Sequence, residues 1–243
     1  MTRRPVPDKA PDRIAQMFDA IAPRYDFLNR LLSAGIDRRW RTAMIASLRL
    51  GESETLIDVC TGTADVALEA RSGSPDAPRA ARVVGVDFAG AMLALGQRKV
   101  RVAGQAGQVV LVRGDAMRLP VRDGAGDAAT VAFGIRNVQD AAVACRELAR
   151  VLRPGGRLAI LEFGAPRFPG VRTLYQWYFG QVLPRIGRLV SGHGGAYSYL
   201  PASVGAFPPP EVFMTTLRHE GFEAVQAVPL TFGIVYLYTA TRR

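Results

Sequence analysis

Cysteine, histidine and tryptophan each occur only twice in the 243 residues. Cys60 and Cys145 share no pairing motif or metal-ligand spacing. A disulfide framework is therefore not expected, and a reduced, cytoplasmic setting is. No apolar run approaches the length of a membrane-spanning helix. The opening Met1-Thr2-Arg3-Arg4-Pro5 is basic, but no apolar segment follows it as a signal peptide would require. Repeats and long low-complexity linkers are missing as well. Acidic residues are the minority, 21 against 31 basic ones, for a net charge of +10. That excess fits either solubility or attraction to an anionic surface. The basic residues are scattered apart from Arg38-Arg39-Trp40-Arg41, and no aromatic ladder is interleaved with them. Nucleic acid is therefore not an expected partner, and peripheral contact with an anionic membrane ranks above it.

What is present suits one domain over 1–243: 49% of residues are hydrophobic, enough for a sizeable core. The first 50 residues read as a helical cap. Ile14, Met17, Phe18 and Ile21 share one helical face, Pro23 is expected to break that helix, and a second begins near Tyr25. Strand and helix signals then alternate. Strands are expected at 55–60, 82–87, 109–112, 128–133 and 157–163, with helices from about Asp65, over 89–102 and over 141–152. Such alternation indicates a parallel, doubly wound sheet with ligands at the carboxyl ends of its strands. The stretch 166–210, rich in Tyr, Trp, Phe, Gly and Pro, breaks the rhythm and reads as an insertion. Two closing strands, 222–230 and 234–241, are separated only by Thr231-Phe232-Gly233, so they must pair antiparallel. A parallel sheet with an antiparallel end points to methyltransferases and away from most dehydrogenases.

The first strand ends in Asp58-Val59-Cys60-Thr61-Gly62-Thr63-Ala64-Asp65. Gly62 lets backbone approach a ligand closely. Ala64 occupies the place of the third glycine of a dinucleotide fingerprint, which weakens a pyrophosphate reading and tolerates a ligand without phosphate. Asp87, at the end of the second strand, is placed for a ribose diol, though capping the following helix is its plainer role. Asp115, after the third strand, could take an adenine amino group or be a simple turn aspartate.

Several longer motifs resemble the ubiquinone/menaquinone biosynthesis C-methyltransferases. They are 17–26 (MFDAIAPRYD), 28–33 through Trp40, 133–138 (FGIRNV), 150–156 through Phe163, 182–187 and 197–200. The resemblance runs from Met17 to about Tyr238. It implies a class I S-adenosylmethionine-dependent methyltransferase fold, Rossmann-like and seven-stranded, mostly parallel with an antiparallel last strand. It implies S-adenosyl-L-methionine as methyl donor, a prenylated quinol as acceptor, and a homodimer. Cofactor binding is carried onto Thr63, Asp87, Asp115, Ala116 and Ala132, and Asp58 and Gly62 of the first strand end are expected in the same site. The sequence departs from the family pattern at Ala64 (commonly glycine), Asp37 and Phe207 (commonly histidine) and Ala132 (usually serine).

A sulfonium is an activated donor, so no metal is expected; the protein must align the reactants, exclude water and make the acceptor electron-rich. Arg136 and Asn137, after the fourth strand, are the catalytic candidates: Arg136 to stabilise a developing phenolate, and Asn137 or a bound water to position the hydroxyl. The plainer reading pairs Arg136 with an acid such as Asp140. Tyr25 and Tyr178 are candidates to line the acceptor site, and His193, His219, Trp40 and Trp177 are set aside as surface or packing residues. Rivals are a nicotinamide-dependent oxidoreductase, an inactive methyltransferase-like scaffold, and the same chemistry on a benzoquinol or another aromatic metabolite. Demethylmenaquinol is the expected acceptor.

Overall fold

The computed structural model describes residues 9–72, 79–164 and 194–243, with 166, 170, 173, 175, 177 and 181 between them. Within these, 28, 32 and 194–198 are described by their backbone alone. Seven strands form one sheet: β1 (Thr55–Val59), β2 (Arg82–Asp87), β3 (Val109–Arg113), β4 (Gly126–Ala132), β5 (Leu152–Phe163), β6 (Phe222–Leu230) and β7 (Val235–Arg242). Their order is β3-β2-β1-β4-β5-β7-β6. β1 to β5 run parallel, and β7 is antiparallel to both neighbours. The order reverses between β1 and β4, which opens a crevice at their carboxyl ends.

Both faces of the sheet are covered, and alternate residues serve opposite sides. On β5, Leu158 and Ile160 join one apolar cluster while Ala159 and Leu161 join the other. The first cluster is completed by α5 (Ala141–Val151) and α7 (Pro210–His219), through Leu148, Phe213 and Leu217. The second is completed by α2 (Asp37–Leu48) and α3 (Asp65–Ser72), with Trp40, Met44 and Ala67. Side chains such as Leu56, Ile57 and Ile160 are fully enclosed, each contributing about 1.5–3 kcal/mol by leaving water.

Two expectations fail. Pro23 does not end the first helix: α1 runs unbroken from Pro11 to Leu32. The ring faces solvent, where losing one backbone bond is cheapest, and the apolar stripe continues past it to Tyr25. The fifth strand also begins earlier than expected, at Leu152. Pro154-Gly155-Gly156 is absorbed as a bulge, since Gly126 pairs with Leu152 but Ala128 with Arg157.

α1 lies across the carboxyl edge and packs on α4 (Gly90–Val102) in a separate small cluster of Ala22, Ala89 and Met92 with Phe18, Ile21 and Tyr25 around it. Polar contacts fasten it there. Asp19 accepts from the Ala91 amide (2.9 Å), supplying an acid to the positive end of α4. Asp26 accepts from the Thr63 hydroxyl (2.6 Å) and from Lys99 (3.0 Å).

Candidate active site

Beneath α1 lies a cavity of about 300 Å³, a volume suited to a small molecule. Gly62, Asp87, Asp115 and Ala116, after β1, β2 and β3, wall one end, with Ala132 of the adjacent β4 beside them. Phe133 and Asn137, past β4, wall the other, and Lys9 and Tyr25 also line the cavity.

At the first end the loop after β1 makes a tight turn. Cys60, Gly62 and Ala64 all have positive φ (58°, 55° and 66°). A Cβ on Gly62 would meet nothing within 4 Å, so the missing side chain leaves open space. A Cβ on Gly134 would come within 2.8 Å of the Cys60 sulfur, which fixes that residue by close approach instead. Ala64 holds the left-handed conformation at a cost of about 1–2 kcal/mol, offset by packing of its enclosed methyl near Gly96.

Asp87 has the plainer role foreseen for it, at the start of α4, and also faces the cavity. One oxygen caps the Ala89 amide (2.9 Å) and the other takes the Gly62 amide (2.8 Å). Each oxygen keeps a lone pair for the cavity. Burial raises its pKa, partly opposed by those amides. Asp115 uses one oxygen on the Met117 amide (2.8 Å). Two expected residues stand behind this wall and do not line the cavity. Asp58 accepts from Thr61 (2.6 Å) and Thr130 (2.8 Å), and burial pushes its carboxyl up to about 7. Thr63 turns its hydroxyl to Asp26, and Lys99 donates to it (3.1 Å).

At the other end the 3-10 turn Ile135–Asn137 carries Arg136 and Asn137. Arg136 pairs with Glu162 (2.8 Å) at the end of β5, while Asp140 is spent on capping α5 through the Ala142 and Val143 amides. The fully enclosed Glu162 also accepts from the Arg136 amide (3.2 Å) and the Phe163 amide (2.8 Å). Arg136 donates to the Phe133 carbonyl too, and its guanidinium lies 5.2 Å from the Phe163 ring. It does not itself line the cavity. Among the described residues, three buried polar atoms here have no partner: Arg136 Nε, Asn137 Oδ1 and the Tyr199 hydroxyl on α6 (Gly194–Ala206). Tyr25 meets Phe18 edge-on at 6.1 Å, and burial raises its pKa. Tyr178, 182–187 and His193 lie outside the described residues.

Glu162 and Lys9 were not singled out from sequence. Glu162 had a signal, an acid ending a buried strand. Lys9 had none; it is a half-buried cation in the wall, its pKa lowered by burial with Glu162 opposing. Among the family departures, Asp37 is buried between Ser33 (2.8 Å) and Arg41 (2.7 Å). Among the described residues no cluster of His, Cys, Asp and Glu could hold a metal ion, and no helix is long and apolar enough to cross a membrane.

The chain matches the ubiE/COQ5 methyltransferase family over residues 7–242. It is 43% identical over 243 residues to a demethylmenaquinone methyltransferase of Deinococcus radiodurans, covering 99% of this chain and 98% of that one. It is 44% identical to the ubiquinone/menaquinone biosynthesis C-methyltransferase UbiE of Geotalea daltonii, covering 95% and 97%. In fold it is similar to a phosphoethanolamine N-methyltransferase of Haemonchus contortus solved with S-adenosyl-L-methionine (TM-score 0.61, 14% identity, 84% of this chain and 52% of that one).

Proposed function

Because this chain belongs to the ubiE/COQ5 methyltransferase family, we propose that it transfers a methyl group from S-adenosyl-L-methionine to a ring carbon of demethylmenaquinol in respiratory quinone biosynthesis. The observation that carries this reading is the cavity wall: carboxylate oxygens and an open glycine after β1 to β3, and past β4 the Phe133 ring and Asn137, whose Oδ1 is buried without a partner among the described residues. Relatives named as demethylmenaquinone methyltransferases, such as that of Deinococcus radiodurans, favour the naphthoquinol ring over a benzoquinol.

The residues present fit the donor. Asp87 offers two carboxylate oxygens to a vicinal diol, Asp115 has one uncommitted oxygen for an amino group, and Gly62 leaves room for backbone contact. S-adenosylmethionine, when bound, supplies a methyl group already activated on sulfur. Gly62, Asp87, Asp115 and Ala116 hold it, and Ala132 offers backbone only. Asp58 and Thr63 act from behind, the first by bracing Thr61 and the second by tying the loop to α1.

At the acceptor end, Asn137 Oδ1 accepts a hydrogen bond from a quinol hydroxyl, which satisfies an otherwise unpaired buried atom. As that hydroxyl releases its proton to solvent, the ring carbon becomes nucleophilic. Once the carbon carries the methyl, its own hydrogen passes as a proton to the oxygen and restores the quinol. The field of Arg136 stabilises the oxyanion through the wall, and Lys9 adds a cation within it. α1 excludes water. Tyr25 packs against the ring, a role Tyr178 would share. A prenyl tail keeps the substrate in the bilayer, so the protein works as a cytoplasmic enzyme at the membrane surface.

The test supplies purified protein with S-adenosylmethionine and chemically reduced demethylmenaquinol or its benzoquinol counterpart, reading product mass. A product one methyl heavier, formed faster from the naphthoquinol, supports the proposal. Faster turnover of the benzoquinol reverses the ring assignment, and methylation of neither ring contradicts the quinol reading.

A further inference from the structure

The inner side of α1 walls the cavity through Ile14, Ala15, Phe18 and Tyr25. Its outer side, over the last turns and the start of α2, has a different character. Phe27 is 60% exposed and Leu31, one turn on, 47%. Arg24, Arg30, Arg38 and Arg39 are exposed around them. The only acids in this stretch are turned inward: Asp26 to Thr63 and Lys99, Asp37 to Ser33 and Arg41. None of the four exposed arginines forms an ion pair among the described residues. The outward charge of residues 23–39 is therefore entirely positive, around two apolar side chains.

We propose that this face, residues 23–39, docks the protein on an anionic lipid leaflet. Phe27 and Leu31 enter the interface while the four arginines meet lipid phosphates. A second copy of the chain is the poorer occupant, because a two-fold contact would set four arginines against four others. Nucleic acid is poorer as well, since one phenyl ring and a leucine on a convex helix offer no stacking platform. The choice of lipid rests on the reading of the acceptor as a prenylated quinol. Docking on this side places the membrane against the helix that covers the cavity.

Flotation of the full chain with phosphatidylcholine vesicles, with and without an equal share of phosphatidylglycerol, tests this. Binding is expected only with the anionic lipid and should fall with added salt. Each arginine-to-glutamine change at Arg24, Arg30, Arg38 or Arg39 should lower partitioning about fivefold, and Phe27→Ser or Leu31→Ser about tenfold. Unchanged thermal unfolding and unchanged methylation of a short-chain, water-soluble quinol without vesicles establish that the variants are folded. No anionic-vesicle binding, or binding that both sets of variants retain, overturns the proposal. Loss of self-association in Phe27→Ser, seen by sedimentation, or tighter binding to single-stranded DNA than to vesicles, overturns it in favour of those partners. Soluble-quinol turnover without vesicle binding refutes the docking face alone. Vesicle binding without turnover of any quinol leaves the face standing and refutes the function.

Discussion

The two ends of the cavity are built on opposite principles. At the donor end both wall carboxylates are already bonded to the protein, Asp87 to two amides and Asp115 to one, and Asp58 behind them holds two hydroxyls. Ligand contacts there are added to a structure complete without them. At the acceptor end Asn137 Oδ1 is buried in the wall with no partner among the described residues, and Arg136 Nε and the Tyr199 hydroxyl, behind the wall, are likewise unpartnered. Such atoms cost about 1–3 kcal/mol each until something bonds them. Under the proposed function, the donor end is complete before its ligand arrives, whereas the acceptor end keeps Asn137 Oδ1 for the incoming ring.

The largest expected effect falls on the ion pair that supports the acceptor end. Glu162→Gln leaves the Arg136 charge buried without its partner and should cost about 3–5 kcal/mol of stability. Denaturant melts would show this, and a loss below 1 kcal/mol would mean the pair is solvated. Next, Asp87→Ala removes two charged acceptors and should weaken S-adenosylmethionine binding about hundredfold, as calorimetry would report. A change of less than threefold would remove Asp87 from the donor site. Asn137→Ala sharpens the contrast: deleting an unpaired buried atom should leave stability within about 1 kcal/mol while lowering kcat/KM about tenfold. Parallel loss of stability and activity would make Asn137 merely structural.

A smaller effect is pH-dependent. Burial raises the Asp58 carboxyl from 3.8 to about 7, so the folded state favours its protonated form. Its contribution to stability is fully present below 3.8 and is lost as pH rises through 7. Asp58→Asn should flatten that part of the stability profile, and an unaltered slope between those limits would show that Asp58 ionises freely. Smallest of all, Ala64→Gly relieves a left-handed alanine but deletes an enclosed methyl, so the change should stay within about 1 kcal/mol.

The same contrast explains what could be read from residues alone. β1 to β4, their connecting helices and the closing hairpin were legible because each segment carries its own period and punctuation. Gly62, Asp87, Asp115 and Ala116 were legible as neighbours in one cavity wall, since they sit at strand ends. Asp58 and Thr63 fall behind it because their side chains turn to Thr61, Thr130 and Asp26. Pro23 misled because a local rule yielded to the packing of Tyr25 and Phe18 on α4. Arg136 was legible as a charged residue at a strand end, but its partner was not. Asp140 is near in sequence, yet Glu162 is brought close only by the pairing of β4 with β5. Lys9 depends on how α1 crosses the sheet, which no local pattern encodes.

The division of labour is tested most directly by titrating S-adenosylmethionine into Asp87→Ala and Asn137→Ala side by side, then measuring methyl transfer at saturating donor. The expected result is weakened donor binding in Asp87→Ala alone and slowed transfer in Asn137→Ala with wild-type donor affinity. Equal loss of donor affinity in both variants would contradict a cavity with two separate ends.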